Sequence, residues 1–286
     1  MQLSAPMASR GGLRAYFALA FGIAWTGVLL MAARTGLPAP LDAPPGNRLL
    51  VFAAMLAGPS LAGLGLTALF DGRQGLRALA QRLGRWQIGA RWYATVAFVP
   101  AVLLIVLAAL SRTSSSFVPG LFTMASPAST VIFALIAGLG AGLFEEIGWT
   151  GFATPRLLPR LGWLRAGATL GIVWGIWHGL ADYWGGASYG SLWAPHMLEW
   201  LVELTAFRIL MTWAYHRTGS LLLAVLLHAG STGAQALLWP TSATPRAELL
   251  WYGLLAASLW VGVAVLVIRE QAPRRRGSLA QAHGSP

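Results

Sequence analysis

The sequence predicts an all-α membrane protein with about eight transmembrane helices. Three observations carry that expectation: an apolar composition, eight apolar windows of spanning length, and an uneven distribution of arginine. Hydrophobic residues make up 56% of the 286 residues, charged residues only 10%, and the mean hydropathy is +0.62. Soluble domains carry about 25% charge, so this chain cannot cover itself with polar surface in water and needs a bilayer as solvent. A soluble enzyme, a disulfide scaffold and a disordered chain are excluded. Cysteine is absent, which removes thiolate nucleophiles and Cys-ligated metals. The 34 glycines and 14 tryptophans match membrane usage, where Gly is tolerated in spanning helices and Trp favours the lipid boundary.

A helix of about 20 apolar residues crosses a bilayer. The windows are 15–33, 49–70, 92–110, 129–154, 166–184, 197–215, 220–239 and 249–268. The first is too long for a signal-peptide core and precedes no clear cleavage site, so it reads as a retained anchor. Pro59 and Pro100 should kink the second and third. Between them, residues 71–86 place Leu76, Leu79 and Leu83 at helical spacing, with Arg73, Arg77, Arg82 and Arg85 largely elsewhere around the wheel. That pattern suits a short interfacial helix on anionic headgroups. Residues 111–120 are a plain connector. Gly148, Gly151 and Pro155 are expected to interrupt the fourth window near its end. The domain reading is a single membrane domain over 1–271, with a basic, disordered cytoplasmic tail over 272–286.

All 20 cations are arginine, and the net charge is +11. Counting alternate inter-window segments, fifteen arginines fall on one side and four on the other, with Arg208 inside a window. The positive-inside rule then puts both termini in the cytoplasm. The charge is a topology signal, not a nucleic-acid footprint, and the expected location is a bacterial inner (plasma) membrane. The expected partners are membrane lipid and a peptide or protein substrate at the membrane.

Charge at mid-bilayer costs about 2.5–3.5 kcal/mol on insertion scales, so intramembrane ionisable residues are functional candidates. Glu145 and Glu146 are adjacent; two neighbouring carboxylates in low dielectric cannot both ionise cheaply, and one poised to exchange a proton is what a general base needs. The competing reading is a helix end reaching headgroups. His178 and His228 each stand alone in long uncharged stretches. Glu145 lies 11 residues from Arg156, His178 13 from Arg165, and His228 11 from Arg217. At roughly 1.5 Å per residue these groups lie roughly 16–20 Å from a common surface, where three helices could bring them together. A Glu can deprotonate water, while two imidazoles either bind zinc or hydrogen-bond an oxyanion. Proton-coupled transport would use the same residues, although no inverted repeat is visible. The residues alone leave these chemistries open, and zinc remains the one metal the set suggests.

At these positions the sequence resembles the CPBP family of intramembrane proteases, which includes the CAAX prenyl endopeptidases and the Abi proteins linked to bacteriocin immunity. EEIGWTGFATPRL (145–157) is similar to the EExxxR motif, WGIWH (174–178) to FxxxH, and RTGSLLLAVLLHAGST (217–232) to the motif built on HxxxN. The basic segment 75–93 is like the loop the family carries before its third helix. The motif core covers 145–232. The resemblance implies eight helices around a polar cavity and an endopeptidase in which Glu145 activates water, Glu146 assists, and His178 and His228 complete the site. Two positions depart from the motifs: Thr150 replaces the Arg, and Thr232 stands where Asn is frequent. These departures point to altered specificity or to a non-catalytic immunity or scaffold member.

Secondary candidates are Thr232, Asp182 and Glu203. Asp182, one turn beyond His178, could fix its tautomer. Glu199 and Glu203 share a helix face and could line the cavity, and Arg208 is expected to contact a neighbouring helix because five residues is a poor same-face spacing from Glu203. His196, His216 and His283 are expected to be solvated. Trp92, Trp184, Trp193, Trp200 and Trp239 are read as an interface belt.

Overall fold

The computed structural model describes the backbone of residues 10–282 and the side chains of residues 12–271. The anticipated tail, 272–286, and His283 therefore lie outside the residues whose side chains are described. Among the described residues there are helices and turns and no strand. The helices are α1 (Arg10–Thr35), α2 (Pro45–Leu83), α3 (Ala90–Ala94), α4 (Phe98–Leu110), α5 (Pro127–Gly148), α6 (Thr154–Gly185), α7 (Trp193–Thr218), α8 (Leu221–Leu238) and α9 (Pro245–Ala282). Every apolar window falls on helix. By length and composition six helical stretches among the described residues qualify as spans. One of them, Pro127–Gly185, carries two windows, and α7 holds Glu199, Glu203 and Arg208 within its apolar length.

The breaks fall where backbone chemistry demands them. α2 continues past its membrane window and turns at Gly72 (φ 62, ψ −156), a left-handed conformation that only Gly adopts without strain. The segment after that turn buries Leu79 and leaves Arg73 and Arg77 exposed, so it is amphipathic in the manner its leucine spacing indicates. In the third window the helix tightens to a 3₁₀ turn at Thr95–Ala97, just before Pro100, whose ring cannot sit over the carbonyl four residues earlier in a regular helix.

The expected interruption around Gly148, Gly151 and Pro155 takes another form. The chain widens into a π-helical turn at Trp149–Ala153 and continues as helix; the Thr154 hydroxyl donates to Trp149 O at 2.8 Å within it. The break in helical geometry comes later, at Gly162 (φ 69, ψ 170). A Pro early in a helix lacks only an N–H that the first turn leaves unpaired anyway, so Pro155 starts α6 and does not end α5.

Helix pairs approach closely through small residues, as membrane packing favours. α5 lies on α8: a side chain on Gly138 or Gly142 would meet the α8 backbone at Ala229 O or Val225 O within 2.5 Å. α6 lies on α7 along Gly167, Gly171 and Gly175, which face Ile209, Thr205 and Leu201. α7 runs into α8 through a turn in which the Ser220 hydroxyl accepts from Leu223 N and donates to Arg85 O. These contacts bring the last turn of α5 against the interiors of α6, α7 and α8 around one polar centre.

Candidate active site

Glu145 and Glu146 occupy the last turn of α5, just before the π turn, and point to different neighbours. Glu146 is fully buried. Arg208 of α7, also fully buried, grips it with two bonds: Nη1 to Oε2 at 2.7 Å and Nη2 to Oε1 at 2.8 Å. His228 of α8 adds its Nδ1 to Oε1 at 2.8 Å, and the Thr150 hydroxyl donates to Oε2. A bidentate guanidinium and two further donors fill the lone pairs of this carboxylate. Glu146 is thus a fixed anion that holds α5, α7 and α8 together, and it does not line the cavity.

Glu145 has looser company. Its Oε2 accepts one bond, from Trp174 Nε1 of α6 at 2.8 Å, and the side chain lines a cavity of about 130 Å³. The polar part of that lining is Glu145, His178, His228, Ser231, Thr232 and Gln235; the apolar part is Phe52, Ala141, Trp174, Trp200, Leu204 and Phe207. With Nδ1 engaged by Glu146, Nε2 is the ring nitrogen of His228 left for other partners. His178 makes no hydrogen bond among the described residues and is held by ring contacts alone, with Trp177 at 4.7 Å and Trp200 at 4.8 Å between centroids.

Trp174 is the hub of the arrangement. Its N–H holds Glu145, the Arg208 guanidinium sits 4.1 Å from its ring centroid, and the His228 and His178 rings pack at 5.1 and 5.5 Å. Trp174 and His178 are one turn apart on α6, so both reach the same space. Neither Trp174 nor Arg208 stands out in the sequence as a site residue. A lone arginine within an apolar window was the available signal for the second.

Several expectations are corrected. Asp182 does not reach His178: it accepts from Trp193 Nε1 at 2.7 Å and pairs with His196 Nε2 at 3.3 Å. His196, expected to be solvated, is 3% exposed and stacks on Tyr189 at 4.0 Å. Tyr189 donates to Glu248, and burial together with that bond pushes its phenol well above the usual range. Glu203 does not line the cavity; it is fully buried and neither carboxylate oxygen has a partner among the described residues. Trp200 is a cavity wall rather than a boundary residue, and Trp184 is buried with its N–H on Thr35 Oγ1. Arg156 pairs with Asp71, next to the Gly72 turn. The charge absent at Thr150 is supplied across the bundle, by Arg208.

Glu145, His178 and His228 match a zinc donor set in composition. Among the described residues, however, no three His, Asp or Glu side chains are arranged to hold a metal ion. What the arrangement offers by itself is a carboxylate with an open oxygen beside two imidazoles in a small, mainly apolar cavity. Such a set can take a proton from water and stabilise a developing oxyanion.

Residues 127–233 match the family described as type II CAAX prenyl endopeptidase Rce1-like. The chain is also 29% identical over 147 residues to a protein named CAAX prenyl protease 2 from Methanococcus maripaludis. That alignment takes in 49% of this chain and 52% of the relative, so the chain spans about half the length of the curated relative it matches.

Proposed function

Because the chain belongs to the CPBP family through its Rce1-like segment, residues 127–233, we propose that it is an intramembrane endopeptidase of the CAAX type. It hydrolyses a peptide bond in a membrane-associated or lipidated substrate. The observation that carries this reading is the division of labour between adjacent carboxylates: Glu146 is saturated by Arg208, His228 and Thr150, while Glu145 keeps an open oxygen on the cavity wall.

In the proposed reaction Glu145 takes a proton from a water molecule, and the hydroxide attacks the scissile carbonyl carbon. His228 Nε2 accepts from the same water and orients it; Glu146 fixes that ring by taking the Nδ1 proton as a hydrogen bond. His178, whose ring is free of other hydrogen bonds, donates an N–H to the tetrahedral oxyanion. When the C–N bond breaks, the proton held by Glu145 passes to the leaving amine, so the site ends in its starting state. Trp174 positions Glu145 for both transfers. The arginine distribution supports both termini in the cytoplasm and a plasma (inner) membrane location.

The test uses the full chain in liposomes with a prenylated, membrane-bound reporter peptide. Glu145→Gln keeps the shape and removes the base, and the expected result is a loss of about 10²–10⁴-fold in kcat with unchanged thermal unfolding. Cleavage that survives the substitution rules out Glu145 as the base.

A further inference from the structure

α8 presents more polar surface to the cavity than the proposed hydrolysis uses. His228, Ser231, Thr232 and Gln235 stand at i, i+3, i+4 and i+7, which places them on one helix face, and all four line the cavity. The rest of the lining comes from α2, α5, α6 and α7 and, apart from Glu145 and His178, it is largely apolar, including Phe52, Trp200 and Phe207. Away from those two groups, the hydrogen-bonding side chains of the lining are those of α8.

That polar wall is under-occupied. Gln235 Nε2 donates to Ser231 Oγ over a long 3.4 Å. Among the described residues, the Gln235 carbonyl oxygen and the Thr232 hydroxyl make no other hydrogen bond. Polar groups facing a low-dielectric space are costly without partners, so this face is built for a ligand or water that supplies them. Two features select the ligand. Seven residues of α8 span roughly 10 Å, the length of about three residues of extended peptide. An extended main chain also offers the N–H and C=O of every second residue along one edge, while successive side chains project to the two faces at right angles to that edge. A bare hydrocarbon chain would leave the Ser231, Thr232 and Gln235 groups unpaired.

We propose that Ser231, Thr232 and Gln235 form a main-chain track that holds about three residues of extended peptide on one side of the scissile bond, with Gln235 fixing the far end. The proposal rests on the peptidase reading for the identity of the ligand. It assigns recognition of the peptide backbone to α8 and apolar side-chain preference to the apolar lining of the other helices.

The test is a binding measurement that needs no turnover. Full-length Glu145→Gln protein in nanodiscs is titrated with a membrane-anchored peptide bearing apolar side chains, and with three analogues that each replace one backbone amide near the scissile bond by an ester. One analogue should bind about tenfold more weakly than the parent, the effect of one lost hydrogen bond. With Gln235→Met added, parent and analogue should bind alike, at the weaker affinity. If Gln235→Met does not fold, Gln235→Leu serves the same comparison. Equal sensitivity to the ester with and without Gln235, or no binding of the parent peptide, overturns the track. Binding with this pattern in a protein whose wild type hydrolyses nothing would instead remove the peptidase reading and leave the track standing.

Discussion

Two clusters in this protein combine a buried histidine with acidic side chains, and they differ in what is left over. Around His196, both oxygens of Asp182 are engaged, by Trp193 and by His196, and Glu248 takes the Tyr189 hydroxyl. Around His228, Glu146 is equally saturated, but its sequence neighbour Glu145 accepts a single bond and faces a cavity. The residue types are the same, so composition does not separate a packing cluster from a reactive one. The separating feature is an open carboxylate oxygen beside free imidazole nitrogens in a space that admits another molecule.

The contrast can be broken at the locked anion first. Arg208→Met removes the only guanidinium on Glu146 and leaves a fully buried carboxylate with only Thr150 and His228. Breaking a buried pair on one side costs about 3–5 kcal/mol, so the midpoint of unfolding in detergent should fall steeply. A midpoint within error of wild type would mean the pair holds nothing together. A smaller effect is expected at the loosely held carboxylate. Trp174→Phe keeps an aromatic ring and deletes the one donor to Glu145, and a hydrogen bond to a charged group is worth about 1.5–3 kcal/mol. Steady-state kinetics should show kcat down by about tenfold or more with KM little changed; a rise in KM alone would move Trp174 from positioning to substrate contact. The smallest effect is expected where a carboxylate has no partner at all. Glu203→Leu replaces an unpartnered buried group by an apolar one and should raise stability by about 1 kcal/mol, with the cleavage rate intact. Loss of activity in that variant would give Glu203 a place in the site that its absence from the cavity lining does not suggest.

The sequence made some of this legible. Apolar windows gave the helices because spanning length and composition are local properties. The amphipathic stretch over 71–86 followed from leucine spacing, whereas the turn at Gly72 that starts it did not. Other features were not local. Asp182 stands one turn from His178, and spacing along a helix suggested a pair; the side chain instead meets His196, fourteen residues on, because α7 packs there against α6. Arg208 is 62 residues from Glu146, and nothing in either helix specifies the other. The continuation of helix through Trp149–Ala153 was hidden by three residues that usually end helices.

By itself the sequence determined that the chain is helical, apolar enough to need a bilayer, and supplied with few ionisable groups inside it, because transfer free energy and backbone hydrogen bonding are summed residue by residue. Only the tertiary structure decided which of two adjacent glutamates is neutralised by an arginine and which stays open to a cavity. That choice depends on the contacts between α5, α6, α7 and α8, set by glycine stripes that let backbones approach and so fix which polar side chains can reach each other.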